Sequence, residues 1–362
     1  MEVGPKATNK HTLCGYAWGD VVNSLIKAIG AGDMVRSQRW AAELVCSEQG
    51  LGKLEAALVQ AWATHVAANN PAWCMSWVHA ATYIRALWAR SGESTKAIRN
   101  TPQVRQHVAE AVSSLVLSEK KQLPKLPTAE DCFRDAEAMR TRFRTGQGVV
   151  DQLSCRRTWA AGIESNDLRM IGNEFEAACR ASNLNRALFW VIWFITLDAQ
   201  TEQPAVKERG PSHLTPKQRK SVLWFLVDVM KDMANDIAFL STDERSGIFN
   251  VINITWNKLG AKGRRDCLAA LTMMICEHIA RRSTPRLTTG PNIPSYDAVK
   301  SQNAGIDNIY TAIAEEARKF VLEAPKMNGL VEDAASKAAA KLSAVDKMAL
   351  AYALLSGSGG KK

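Results

Sequence analysis

Helix start and stop signals recur along most of the 362-residue chain, and they constrain the fold more than any other feature. Asp33 stands directly before MVRSQRWAAELVCSEQ and Gly50 follows it, the arrangement of an N-cap residue and a terminating glycine. A Thr-Pro pair at 101–102 and a capping box at 215–218 mark two further helix starts. No stretch shows the period-two alternation of a strand. The sequence therefore predicts an all-α fold.

Further helix start and stop signals also predict short helices. Asp20 opens VVNSLIKAI, which Gly30 ends, and Pro71 occupies a first-turn position before AWCMSWVHAATYIRALWAR. Thr242 is the predicted cap of the segment that follows it. Because the helices are short and closely spaced, we expect a multi-helix array of helical hairpins.

Proline-bearing stretches at residues 118–131 and 283–297 supply the candidate domain boundaries. Beyond the second, AASKAAAKLSAVDKMALAYALL is rich in alanine and would bury little apolar surface per residue. We therefore expect two packed helical domains and an Ala-rich C-terminal helical region. The predicted segments are a flexible N-terminus 1–19, helical domains 20–127 and 128–282, a C-terminal helical region 283–355 and a flexible tail 356–362.

Composition narrows the class of protein. Apolar residues make up 46% of the chain and include 11 Trp, which is enough to build packed cores. The first twenty residues lack the apolar segment of a secretory signal, so the eight cysteines are expected to be free thiols in a reducing compartment. The longest apolar run, Ala187 to Leu197, falls short of the roughly 20 residues that a membrane span needs. It predicts a buried helix.

Motifs for nucleotide and metal chemistry are incomplete. The string GLGKLE at 50–55 has no Ser or Thr after its lysine and no preceding strand, so it is interpreted as a turn between helices. Cys276 and His278 form the closest Cys/His pair, but residues two apart on a helix point in different directions. We therefore predict a non-enzymatic protein with no cofactor, no metal and no small-molecule substrate.

Three carboxylates, Asp228, Asp232 and Asp236, follow a spacing of four and therefore line one stripe of a helix. Such a stripe could hold Mg²⁺ or Ca²⁺. The apolar residues of the same segment trace the opposite face, and that favours a stripe lying in solvent or against a neighbouring arginine.

Basic clusters are the remaining candidate sites, since the formal net charge of +10 favours acidic partners. Exposed guanidinium groups near helix ends can meet phosphate, although Lys and Arg also complement helix C-termini and keep a surface soluble. The candidate phosphate-contacting residues are Arg140, Arg144, Arg156, Arg157, Arg264, Arg265, Arg281 and Arg282.

A pattern of a basic residue, a tryptophan four residues later and an acid eight further on occurs three times. The sets are Arg36-Trp40-Glu48, Arg186-Trp190-Asp198 and Lys220-Trp224-Asp232. On helices, the basic residue and the tryptophan would share a face. Two readings stay open: a duplicated helical hairpin, or chance in a basic chain rich in tryptophan.

Several segments together resemble a group of poorly characterised α-helical proteins encoded by nucleocytoplasmic large DNA viruses. In order, they are SLIKAIGAGDMVRSQRWAAELVCSEQG, HVAANNPAW, VRQHVAEAVSSLVLSEKKQLPKLP, SNLNRALFWVIWFITLD and KSVLWFLVDVMKDM. The likeness covers residues 20–240 or so. It implies a structural or assembly protein of a large DNA virus, located in the virion or in the host cytoplasm or nucleus, whose partners are other virion proteins or itself. The alternative is a nucleic-acid-associated factor that contacts phosphates through its Arg and Lys clusters.

The opening hairpin, KAIGAGDMVRSQRWAAELV, is also similar to a short hairpin in the collar region of clamp-loader-related ATPases. In that family, the hairpin belongs to an oligomerisation collar. The resemblance covers about 25 residues, and it implies assembly through helix contacts rather than any chemistry.

Overall fold

The computed structural model describes residues 11–91, 101–128, 130, 151–200, 205–237, 240–282 and 293–328. Helices dominate these residues. The β-type pairing among them is limited to an isolated antiparallel bridge between His11 and Ala17. The prediction of an all-α, multi-helix fold is confirmed. None of the helices in the described ranges is both long enough and apolar enough to cross a membrane.

The chain divides into two compact units, each assembled from stretches that are not consecutive in sequence. The first unit comprises Met1–Ala61, His79–Leu117 and Pro294–Lys362, and the second comprises Trp62–Val78 and Ser118–Ile293. The domains expected from the sequence are consecutive segments, unlike these units. Proline-bearing stretches indicate where helices are interrupted, but they do not indicate which helices pack together. Their boundaries stay predictions.

The helices are numbered in chain order. Before residue 130 they are α1 (Trp18–Gly30), α2 (Met34–Cys46), α3 (Gly50–His65), α4 (Trp73–Ser91) and α5 (Pro102–Leu117). The middle of the chain forms α6 (Leu153–Thr158), α7 (Asn166–Arg180), α8 (Leu184–Asp198), α9 (Pro216–Arg219) and α10 (Val222–Asp236). The remaining helices are α11 (Thr242–Thr255), α12 (Ala261–Arg282), α13 (Tyr296–Ser301) and α14 (Ile306–Asn328).

Each unit is organised around one helical hairpin. In the first unit, α2 packs against α1, α5 and α14. In the second unit, α8 packs against α7, α10 and α12. The apolar run predicted to form a buried helix lies in α8, where Trp190, Val191 and Phe194 are fully buried.

The two hairpins turn in the same way. Asp33 and Asn183 cap α2 and α8 by accepting a hydrogen bond from the backbone N–H three residues on, at 3.0 and 3.1 Å. The residue before each cap lies in the left-handed region, Gly32 at φ +72° and Ser182 at φ +53°. The caps' own N–H groups donate to Ala28 and Ala178 O, both at 2.9 Å. Residues at matching distances from the two caps are therefore equivalent.

Equivalent positions carry the first two Arg-Trp pairs of the sequence pattern. Trp40 and Trp190 are both buried, at 1% and 0% exposure. The third set differs, because Lys220 lies outside a helix, at the C-cap of α9. Glu48, the acid of the first set, also lies outside a helix, in the turn between α2 and α3.

Several predicted helix limits are confirmed and others are wrong. Asp33 caps α2, and a complete capping box at Thr215 begins α9. Gly50 does not close α2, since that helix ends at Cys46 and Gly50 begins α3. Asp20 lies in the first turn of α1 rather than before it.

The predicted start of α11 is wrong by one residue. Ser241, not Thr242, is the cap, because the acid three residues on from Ser241 is Glu244, and the two close a capping box. The seven cysteines in the described ranges are all free. Six of them are buried, Cys46 is half-buried, and Cys132 lies outside the described residues.

Candidate functional site

The aspartate stripe on α10 faces arginines. Arg157 Nη1 lies 2.8 Å from Asp236 Oδ1 and 3.4 Å from Asp232 Oδ2, and Arg180 Nη2 lies 3.2 Å from Asp236 Oδ2. Burial alone would raise the pKa of Asp236, but hydrogen bonds from these arginines outweigh burial and hold that pKa below its usual value. The acids therefore contact neighbouring arginines, which is one of the two placements expected from the sequence.

A buried ion pair joins the loop before α7 to the loop before α9, and sequence reasoning missed it. Arg209 Nη2 donates to Glu164 Oε2 at 2.6 Å and to Thr158 O at 2.7 Å. The side chains of Arg209 and Glu164 are 6% and 0% exposed. Ala160 N and Lys207 N complete the carboxylate's hydrogen bonds at 2.8 and 3.1 Å. These hydrogen bonds to the buried carboxylate hold the two loops in one arrangement, while Arg209 Nε has no hydrogen-bond partner among the described residues and lies 3.9 Å from Asp228 Oδ2.

The arginines expected to contact phosphate do not form one surface. Arg140 and Arg144 lie outside the described residues. Arg156 and Arg157 lie on α6, while Arg265 and Arg281 lie near opposite ends of α12, about 24 Å apart along its axis.

Four of these arginines are engaged within the fold. Arg157 contacts the aspartate stripe, and Arg281 Nη2 lies 3.6 Å from Glu277. Arg265 Nη2 lies 3.2 Å from the carboxylate of Asp266. Arg264 donates to Trp256 O at 3.0 Å, and its guanidinium carbon lies 5.4 Å from the centre of the Trp256 ring.

Arg156 and Arg282 complete the predicted set. Arg156 is exposed and makes no ion pair with another described residue, whereas the side chain of Arg282 lies outside the described part of the structure. The guanidinium group of Arg156 remains available to an acidic partner.

A pocket of about 600 Å³ opens in the second unit. One wall is a segment without regular secondary structure, residues 119–128. Backbone hydrogen bonds attach it to the last turn of α3, from Lys121 N to His65 O at 2.7 Å and from Leu123 N to Thr64 O at 3.1 Å. The other walls come from α8 and α12. The apolar lining residues are Leu123, Pro124, Leu126, Pro127, Ile192 and Ile195.

The polar lining residues of the pocket are Thr64, Thr128, Thr196, Lys262, Arg265 and Asp266. Lys262 is exposed, whereas the Asp266 side chain is 5% exposed and pairs with Arg265. One positive charge at the start of α12 is thus offset by Asp266, and the exposed Lys262 adds a positive charge to the lining. This combination of an apolar wall and one basic edge suits an amphipathic ligand with a negative group.

Two groups beside the pocket, His65 and Lys120, have pKa values below their usual ones. Burial lowers the pKa of His65, and the nearby Lys120 and Lys262 lower it further. Burial also lowers the pKa of Lys120 to about 8. His65 is therefore neutral at neutral pH, and the basic character of this region comes from the lysines.

In the described ranges, no group of three or more His, Cys, Asp or Glu side chains is placed so that it could hold a metal ion. Comparison with protein-family models, with curated proteins and with solved structures found no match. The class that the fold itself defines is a protein of two all-α units, each organised around a helical hairpin.

Proposed function

We propose that this protein is a non-enzymatic structural or assembly protein that acts through protein–protein contacts of its amphipathic helices. The main observation that supports this proposal is the packing of α14 against α2 and α5 in the first unit. Arg39 pairs with Glu316, and Arg105 Nη1 lies 2.8 Å from Asp307 Oδ1. An amphipathic helix seated by charge pairs and apolar side chains is also a common way for one protein to bind another.

The state of the basic residues supports the same proposal. Four of the predicted phosphate-contacting arginines are engaged by carboxylates, a carbonyl or an aromatic ring of the chain itself. Binding phosphate would require those interactions to be exchanged. The alternative function, a nucleic-acid-associated factor, is favoured by the exposure of Arg156.

DNA binding as a function of salt separates the two proposals. We expect binding to duplex DNA to vanish near an ionic strength of about 0.15 M. Neutralising Arg140, Arg144, Arg156 and Arg157 with Gln should weaken it no more than a charge-matched control. The control replaces the exposed lysines Lys217, Lys220, Lys231 and Lys300 with Gln.

A phosphate-binding function predicts a different result. Binding would persist at physiological salt, and the arginine variant alone would reduce the dependence of log affinity on log salt, by about 0.9 for each phosphate that is no longer neutralised. That outcome would favour the nucleic-acid-associated factor over the assembly protein.

The proposed setting, a large DNA virus with other virion proteins or a second copy as partners, has its support in the sequence resemblance over residues 20–240. Quantitative proteomics of purified particles, separated into shell and core fractions, tests it. We expect the protein in one of the two fractions. Its absence from both would contradict the viral structural role. The general proposal of helix-mediated binding would then be tested by the DNA experiment alone.

A further inference from the structure

The end of α2 and the start of α5 are covered by a helix in the first unit. The covering element is the first two turns of α14. Asp307 pairs with Arg105, and the guanidinium carbon of Arg105 lies 4.5 Å from the centre of the Tyr310 ring. Burial raises the pKa of Tyr310, and the neighbouring Cys46 thiol raises it further, while α14 packs against both α2 and α5. A carboxylate and an aromatic residue three positions apart thus occupy this location.

The corresponding helix ends in the second unit line the pocket. Thr196, near the end of α8, is equivalent to Cys46 in the register set by the two caps. The start of α12, which packs on α8 as α5 packs on α2, contributes Lys262 and Arg265. Arg265 lies near the start of its helix, as Arg105 does in α5. The second unit therefore has a pocket where the first unit has the beginning of α14.

We propose that this pocket accepts the first turns of an amphipathic helix of a partner protein, one that carries a carboxylate and an aromatic side chain three residues apart on one face. This assignment rests on the proposed function and specifies the chemistry of the partner. Residues three apart share a helix face, so both groups can enter the pocket together. The spacing is that of Asp307 and Tyr310 in α14.

The pocket supplies a surface for each of the two groups. Leu126, Ile192 and Ile195 offer apolar contact for an aromatic ring. The exposed Lys262 supplies the positive charge for the carboxylate, because Arg265 is already paired with the buried Asp266. An acidic helix is therefore preferred over a basic one by charge complementarity.

A peptide spanning residues 304–322 of this chain is the probe, since it carries Asp307 and Tyr310 at the required spacing. It is labelled with a fluorophore and titrated with the full chain while anisotropy is recorded. We expect saturable binding that Lys262→Glu weakens about tenfold. Lys231→Glu, an equal charge change at an exposed lysine of α10 in the same unit, should alter the affinity less than about twofold.

A charge swap makes the assignment specific. A peptide with Asp307→Lys should bind the unaltered chain weakly and regain affinity for the Lys262→Glu variant. A peptide with Tyr310→Ala should lose binding to both. Circular dichroism of the Lys262→Glu chain should match the parent, because Lys262 is exposed and its replacement removes no buried contact.

The peptide could instead exchange with α14 on its own site in the first unit, and Arg105→Glu distinguishes this case. The pocket assignment expects that variant to bind the peptide with unchanged affinity. Binding abolished in Arg105→Glu but kept in Lys262→Glu would overturn it, as would no binding at about 100 μM, a concentration that detects even weak complexes. Either failure would leave the outcome of the DNA experiment, and with it the proposed function, unaffected.

Discussion

The hairpin of α1 and α2 and the hairpin of α7 and α8 share a turn but differ in what they bury. Beside the equivalent Trp40 and Trp190, α2 buries Gln38 and Glu43, whereas α8 buries Leu188 and Trp193 at the same two positions. At these positions α2 needs directional partners and α8 needs close packing, while the second hairpin carries its own buried carboxylates, Glu174 and Glu176, on α7. Turn chemistry therefore determines how such a hairpin forms, and side-chain chemistry determines what can cover it.

Directional contacts satisfy the polar groups of the first hairpin. Glu43, whose side chain is 0% exposed, lies 3.3 Å from Arg39 and accepts from Cys14 N at 2.9 Å. Gln38 Nε2 donates to Ala109 O at 2.9 Å. In the second hairpin, aromatic rings occupy this region, with the centres of Trp190 and Trp193 5.7 Å apart. Four predictions test this contrast.

The largest expected effect is common to both hairpins. Trp40→Ala and Trp190→Ala should each destabilise the hairpin that contains it by about 3–5 kcal/mol, because each removes a fully buried ring and leaves a cavity. Hydrogen exchange followed by mass spectrometry measures the two hairpins separately. An effect of Trp190→Ala below about 1 kcal/mol would show that α8 repacks around the loss, which a rigid aromatic core does not do.

Loss of one charge should affect the first hairpin alone. Glu316 pairs with Arg39 and accepts from Tyr16 Oη at 2.5 Å, so Glu316→Gln weakens two contacts to a charged group. We expect a loss of about 2 kcal/mol in the first hairpin, a central value for hydrogen bonds to charged groups. The position equivalent to Arg39 is Phe189, so exchange in α7 and α8 should not change. Equal changes in both hairpins would contradict the contrast.

High pH should weaken the first unit through Tyr310. Burial, and then the Cys46 thiol, raise the pKa of Tyr310, so the neutral form is favoured in the folded protein. Its contribution is complete below the unfolded pKa of about 10 and declines as the pH rises above that value, by about 1.4 kcal/mol at pH 11. The protection of α14 amides, taken relative to their base-catalysed intrinsic exchange rates, should therefore fall between pH 10 and pH 11, and less so in Tyr310→Phe. Identical pH profiles for the parent and the variant would exclude this residue as the cause.

The smallest effects are expected at the turns, and they should have opposite signs. Gly32→Ala places a side chain at φ +72°, where a Cβ meets no neighbour but the backbone conformation is unfavourable, and should cost about 1 kcal/mol. Ser182→Gly relieves the same conformation and should stabilise the second hairpin by about 0.5 kcal/mol. Thermal unfolding of the two variants checks the signs, and the same sign for both would show that the turns are not equivalent.

Local signals allowed much of the fold to be predicted. Asp33 and Thr215 act over three residues, so their caps are visible in the sequence. The start of α11 was visible too, since Ser241 and Glu244 have capping-box spacing that Thr242 lacks. The end of α2 was not, because Ser47, the first residue beyond it, is held by Leu13 N, a contact between distant parts of the chain.

The candidate site was predicted only in fragments. The sequence identifies Arg264 and Arg265 as a basic cluster, but it does not show that Asp266 is buried beside Arg265 or that α8 lies opposite. The pocket combines Thr64, Leu123 and Ile195, which are far apart in the sequence and meet only through tertiary packing. Periodicity identifies the face of each helix that is buried, and it does not identify the neighbour that covers it.

The pairing of Arg39 with Glu316 joins residues 277 positions apart, and this separation has a consequence for synthesis. During translation, every stretch of the second unit has emerged once residue 293 leaves the ribosome, whereas the buried carboxylate of Glu43 and its arginine must wait for α14. Contacts that close such long loops form late, since the entropy of loop closure must be overcome first. The nascent chain therefore completes its second unit before its first, and its N-terminal hairpin is the last part to reach its final packing.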